Sequence, residues 1–378
     1  MTEKSLFGKT SRGEDVYSYK ITNGSGEYVT ILSLGAVVHR LCVRDGGGRL
    51  RDVVLGFETL REYETGSAYF GALVGRAANR ISGCSAFIDG KNYFFPDTGG
   101  GVTLHGGIEG FDRKNFAARE FDPAGFSVTL ETVSPDSDQG FPGNLSLSVT
   151  YTFSGGSALS DGSALSAEYS AVSDAATIVN VTNHSYFNLS GADSGKNIYG
   201  TKVKIRGRKI TPLGSDFTPT GEISRVRGTV FDFTSFKAIG KDIDAPDPQL
   251  LLAGGYDINY VLDGADNADG ENGETGADGE HGATAENGTD ALPLAAEAYS
   301  EESGISLAVF TNRPCMQFYS GNFLTDLSGK DGAPYGRRHG FCLETQGFPD
   351  AENKKFPDNI IGPGKEFKSV TVYAFGRR

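Results

Sequence analysis

Apolar and polar residues alternate one for one along much of this chain. The run "FSVTLETVS" (126–134) shows it, as do "LSLSVTYTF" (145–153), "SAEYSAVS" (166–173), "ISLAVFTN" (305–312) and "SVTVYAF" (369–375). Successive side chains of a strand point to opposite faces, so this period predicts half-buried β-strands. The longer runs "EYVTILSLGAVVHRLCVRD" (27–45) and "TKVKIRGRKITP" (201–212) carry the same signal. Turn residues punctuate them, and no long segment has a 3.6-residue apolar period. Short strands at such spacing predict an all-β sandwich or barrel.

One strand-like stretch is unusual. "VNVTNHSYFNLSG" (179–191) begins with alternating valines and then fills with polar groups. Period two puts Asn180, Thr182, His184, Tyr186 and Asn188 on one face. Val179, Val181, Asn183, Ser185, Phe187 and Leu189 fall on the other, mainly apolar face. A row of hydrogen-bonding groups must face water or line a polar cleft, and only a partner elsewhere in the chain decides between the two.

Two low-complexity stretches interrupt the pattern. "SALSDGSALS" (157–166) lies between two strong strands and reads as an enlarged hairpin loop, an insertion at about 155–166. From Asp263 to Asp290 there are nine acidic residues and no Lys or Arg. That segment has too little apolar surface to offset the entropy of ordering, which predicts a mobile acidic insertion at 263–290. No EF-hand register fits it.

Composition then narrows the class. With 53 glycines, 25 phenylalanines and 16 tyrosines against 2 methionines, the chain of 378 residues favours strands and turns. The net charge of −13 sits mostly in the acidic segment, leaving −4 for the remainder. Lys and Arg are scattered, so no nucleic-acid partner is expected. Four cysteines without CxxC spacing read as free thiols of a reducing compartment. The opening "MTEKSLFGKT" has no apolar core of a leader, and no run approaches 18 apolar residues; a cytoplasmic protein without membrane contact is expected.

Polar clusters far apart in sequence carry the candidate chemistry. They are "GRAANRI" (75–81), "LHGGIEGFDRKNF" (104–116), "TNHSYFNL" (182–189), "GYDINYVL" (255–262) with "MQFYSGNFL" (316–324), and "CLETQGFPDAEN" (342–353). They supply Arg80, His105, His184, Asp257, Gln317 and Glu344, an inventory suited to a neutral polyol with an acid/base pair. Glu344 ends an apolar run, where desolvation raises a carboxyl toward a useful base value. Each residue has a plainer reading as well: Glu344 bonded to amides of the next turn, His184 a satisfied strand histidine, His105 a loop cap. His105 precedes two glycines, where backbone can approach another group closely. No metal is expected, because no HExxH occurs and neither His105 nor His184 has a His or Cys three or four residues away.

In order and with suitable gaps, these clusters resemble the motif set of the galactose mutarotase (aldose 1-epimerase) family, from about residue 5 to the C-terminus. The resemblance implies one domain over residues 1–378, a large antiparallel β-supersandwich, and activity without metal or organic cofactor. It implies that Glu344 is the general base and His184 the general acid, with Asn79, Arg80, His105, Tyr186, Asp257 and Gln317 binding the sugar, and that the polar face of 179–191 is the cleft floor. The substrate would be a free aldohexose such as galactose or glucose; monomer and homodimer both stay open. Three positions depart from the common pattern: Phe116 where Trp is frequent, Ile258 for His, and Cys315 for Gly. Two other readings remain, a non-catalytic sugar-binding module on this fold and a retaining glycosidase using Asp257 and Glu344, which needs carboxyls about 5–5.5 Å apart.

Overall fold

In a computed structural model of the chain, which describes residues 1–121, 123–157, 160–264 and 292–378, nearly every regular element is a strand. Among the described residues the strands form three larger sheets. Five consecutive N-terminal strands, from Thr2–Lys9 to Leu50–Asp52, make an antiparallel meander. A nine-stranded antiparallel sheet runs from Ala117–Phe121 to Lys237–Ala238. Its interior holds the C-terminal strand Glu366–Arg377, paired with Ser160–Ser173 on one side and Ile305–Thr311 on the other. The third sheet orders Ser224–Arg225, Lys209–Thr211, Asp257–Val261, Cys315–Tyr319 and Cys342–Gln346 side by side.

The alternation in the sequence is the reason these faces pack. Ile305–Thr311 alternates buried and half-buried residues without a break. One apolar cluster takes Tyr19 and Ile31 from the meander, Leu130, Val149, Val309 and Phe375 from the nine-stranded sheet, and Ile258, Phe318 and Leu343 from the third. Sheets closed around one such core are the antiparallel β-supersandwich that was expected.

The structure differs from the sequence reading in three places. Ser154 pairs with Ala164 and Gly155 with Ser163, so two long strands continue through most of the supposed 155–166 insertion. Small serines and alanines pair in a ladder as readily as they form a loop. The 179–191 stretch is no continuous strand: only Thr182–Asn183 is a ladder, paired with Leu73–Val74. Beyond it the backbone bonds in turn to Ala72, Leu55, Phe341 and Val53. Two helices of six residues also occur, Leu60–Thr65 with a Thr59/Glu62 capping box and Pro248–Ala253 with Asp247 as its cap. Of the expected acidic loop, all but Asp263 and Gly264 lies outside the described residues. Among the described residues no helix is long and apolar enough to cross a membrane.

The glycines after His105 do approach another backbone. A Cβ on Gly106 would sit 1.9 Å from the Gly75 carbonyl oxygen, at a φ of +92°. This contact locks the loop bearing His105 onto the loop that leads to Arg80. Gly106→Ala is therefore expected to lower stability by more than about 2 kcal/mol, read as a lower urea midpoint at unchanged slope. Gly101→Ala, with a φ of +77° but no atom within 4 Å, carries only the backbone strain of about 1 kcal/mol.

Candidate active site

Three strands of the third sheet supply one wall of a cleft. Asp257, Tyr319 and Cys342 stand opposite one another across the sheet, and so do Asn259, Gln317 and Glu344. These residues share a face because each pair on a strand is two positions apart. The intervening Ile258, Tyr260, Met316, Phe318 and Leu343 point the other way, into the core. Gln317 Nε2 donates to Asp257 Oδ1 at 2.6 Å. Among the described residues nothing donates to Gln317 Oε1, which leaves a buried acceptor on the cleft face.

The facing wall comes from loops tied to short ladders. The His184 N–H donates to the Ala72 carbonyl at 2.8 Å, and the His184 carbonyl accepts from Gly71 N–H at 3.0 Å. Arg80 stands opposite Leu104 in a small antiparallel pair, so His105 emerges beside Asn79. The His105 N–H donates to the Asn79 carbonyl at 2.8 Å, and Asn79 N–H donates to His105 Nδ1 at 3.1 Å. A backbone N–H can only donate, so Nδ1 is the unprotonated nitrogen. Neutral His105 therefore carries its proton on Nε2, as a donor.

All eight residues singled out in the sequence meet here. Asn79, Arg80, His105, His184, Tyr186, Asp257, Gln317 and Glu344 line a cavity of about 460 Å³. The plain reading of Glu344 fails, since among the described residues no amide of the following turn donates to its carboxyl, which faces His184 instead. Of the polar row in 179–191 only His184 and Tyr186 reach the cavity. Asn180 Oδ1 accepts from Gly347 N–H, and Asn188 Nδ2 donates to the Lys196 and His339 carbonyls. Those asparagines brace turns, which corrects the picture of a continuous polar floor.

The reading missed Tyr69, Tyr319 and Cys342. Tyr69 and Tyr319 line the cavity, while Cys342 Sγ lies 3.6 Å from His184 Nδ1. Period two, applied to "QFY" and "CLE", would have found Tyr319 beside Gln317 and Cys342 beside Glu344. Nothing in the local sequence signals Tyr69. The three departures, Phe116, Ile258 and Cys315, all lie outside the cavity lining.

Burial dominates the electrostatics. Glu344 is 3% and His184 5% exposed. Desolvation pushes the Glu344 carboxyl well above the usual carboxylate range; the nearby Asp257 charge adds to this and Arg80 opposes it. Burial also pulls His184 down to about 4, and His105 well below its ordinary value. His184 Nε2 and Glu344 Oε1 lie 3.7 Å apart. Burial opposes the charged form of each group, which favours carboxyl with imidazole as the form of the pair that shares one titratable proton. Carboxylate with imidazolium has the same net charge and is reached by moving that proton.

His105, His184 and Glu344 also form a group of metal-ligand composition, with one atom of each within 4.8 Å of the others. The sequence spacing hid it, since the fold joins histidines 79 positions apart. The donor chemistry does not suit a metal. His105 Nδ1 is occupied by the Asn79 amide and Nε2 holds the proton, so His105 has no free lone pair to offer.

Comparison with known proteins agrees with this geometry. The family model described as aldose 1-epimerase matches residues 17–374. Galactose mutarotase of Bos taurus is 38% identical over 349 residues, covering 92% of this chain and 90% of its own length. Aldose 1-epimerase of Escherichia coli K12 is 32% identical over 358 residues, covering 94% of each. The crystal structure of an aldose epimerase homologue from C. elegans superposes with a TM-score of 0.78 at 29% identity, covering 95% of this chain and 98% of its own.

The buried carboxyl should cost stability in a pH-dependent way. Its pKa is raised from 4.5, so above that pH the folded protein retains a proton that the unfolded chain releases. Stability is then lost as pH rises toward the folded-state value. Glu344→Gln should melt above wild type at pH 7, by ~1–1.5 °C for each kcal/mol relieved. The gap should close toward pH 4; a gap independent of pH would contradict the assigned burial.

Proposed function

Because the chain belongs to the aldose 1-epimerase family, we propose that Glu344 and His184 are the base and acid of its reaction, the interconversion of α and β anomers of a free aldohexose. The 3.7 Å approach of these two buried groups, from strands and loops 160 positions apart, is the observation that supports the roles.

The pair works through one proton. Sugar hydroxyls that donate to the carboxylate, and a ring oxygen that accepts from the imidazolium, favour the charged form of the pair. Glu344 then takes the proton of the C1 hydroxyl while His184 gives one to the ring oxygen. The C1–O5 bond breaks and the open aldehyde forms. After rotation about C1–C2 the transfers run backwards and deliver the other anomer. His105 Nε2–H and Arg80 donate to the oxygen that gains electron density. Asp257 and Gln317, already bonded to each other, accept from hydroxyls and fix the ring's orientation.

Four free cysteines, three of them buried, support a reducing cytoplasmic setting. The glycosidase reading would need Asp257 as a second reacting carboxyl, whereas Asp257 is engaged by Gln317.

Polarimetry on freshly dissolved α-galactose and α-glucose tests the roles directly. Glu344→Gln and His184→Asn should each lower kcat by on the order of 10²–10⁴, and wild type should leave a nitrophenyl galactoside intact. Full activity in either variant would remove that residue from the chemistry. The pH profile of kcat/KM should be a bell belonging to the pair. Its acid limb marks addition of a second proton and its alkaline limb loss of the shared one. Asp257 raises and Arg80 lowers the Glu344 pKa. Asp257→Asn should therefore move the alkaline limb to lower pH, and Arg80→Met to higher pH.

A further inference from the structure

Burial pulls the His184 proton affinity down, yet the reaction needs its imidazolium, so some part of the cleft must favour that cation. Glu344 and Cys342 face it from one strand, Tyr319 from the neighbouring strand, His105 from the opposite loop and Tyr186 from its own segment. Asp257 and Arg80 act on Glu344. Cys342 is an uncharged thiol, held well above its usual pKa by burial, and His105 is neutral.

Tyr69 is built against His184 with unusual care. Its φ is +54°, a conformation that bulky residues rarely adopt. The turn it begins is fastened to His184 from both sides. Ala72 N–H closes the turn on the Tyr69 carbonyl, Gly71 N–H donates to the His184 carbonyl, and His184 N–H donates to Ala72. Asn183 Nδ2 adds a bond to the Gly71 carbonyl at 2.8 Å. A Cβ on Gly71 would fall 2.2 Å from the Val38 carbonyl oxygen, so the turn cannot shift outward. The result is a phenol ring 5.8 Å from the His184 ring at 26°, with its edge contact to His105 at 4.8 Å and 66°. Tyr186 lies near-parallel to the same imidazole at 5.0 Å and 25°.

We propose that Tyr69 is a positioning residue of the reaction: together with Tyr186 its π face stabilises the imidazolium form of His184 that hands a proton to the sugar ring oxygen. This rests on the acid role of His184 given above. A cation within about 6 Å of a ring centroid is attracted by the ring quadrupole, most strongly where water is excluded. The strained backbone at residue 69 is the means by which the fold holds the ring there.

Fluorinating a ring drains its negative face while nearly keeping its shape. The test replaces Tyr69 by Phe, and then by Phe carrying two and four ring fluorines, and follows kcat/KM for galactose against pH. Tyr69→Phe should restore the wild-type profile to within about threefold. Along the fluorinated series the plateau should fall, reaching about tenfold. The acid limb should move to lower pH by about half to one unit, because a second proton must then create a less stable imidazolium. A flat series overturns the proposal, and so does a falling plateau with an unmoved limb, which is the signature of packing alone. His184→Asn separates the two readings: full activity in that variant removes the acid role itself, whereas its loss beside a flat fluorine series removes only Tyr69.

Discussion

The register of three antiparallel strands decides what this protein can do. With Asp257 opposite Tyr319 and Cys342, and Asn259 opposite Gln317 and Glu344, every side chain on the polar face belongs to the cleft or supports it. A slip of one residue on the strand Cys342–Gln346 would exchange Glu344 for Leu343. It would send a carboxylate into the core cluster that holds Phe318, Ile258 and Tyr373. Burying that carboxyl among apolar side chains without a polar partner is costly, and the register that avoids it is the one that brings Glu344 to the cleft. Folding specificity and chemistry therefore rest on one constraint.

The opposite wall needs different devices, because its residues must be held from loops. Asn79 and His105 have positive φ and bond to one another through both backbone and ring. Arg76, just before Asn79, is buried, and among the described residues no carboxylate bonds to it. It donates to the carbonyls of Ser134, Pro135, Pro142 and Gly143 instead. Its Nε and Nη1 also donate to the hydroxyls of Ser134 and Thr177, so one cation ties several loops together through neutral acceptors. The imidazoles are thus held by a bonded frame of their own, facing the sheet across the cavity.

Much of this was legible in the sequence, for identifiable reasons. Period two survives wherever one face of a strand is buried, so the strands from Ser127–Ser134 to Glu366–Arg377 stood out, and so did the setting of Glu344 at the end of an apolar run. The eight site residues were readable through their ordered clusters. What could not be read depends on tertiary contact. The stretch after Asn183 alternates like a strand, yet its partners change from residue to residue, and that turns Asn180 and Asn188 into turn braces. Tyr69 is set by a strained turn that no local composition announces. The proton on His105 Nε2 follows from an amide 26 positions upstream.

The charges around the cavity bear on the kind of sugar that fits. Among the described residues its lining holds one permanent cation, Arg80, against the carboxyls of Asp257, Glu344 and, at the more exposed end, Glu62. Arg80 also packs its guanidinium over the Phe217 ring, 5.4 Å from the centroid. A dianionic phosphate entering this space would meet only one positive partner, beside two buried carboxyls that would either repel it or have to stay protonated. A neutral ring of hydroxyls meets the donors His105 Nε2–H and Arg80 and the acceptors Asp257 and Gln317 Oε1, each of which it can satisfy. Transfer of a proton between Glu344 and His184, the pair proposed to act, leaves the net charge of the cleft unchanged. That balance favours an unphosphorylated aldose.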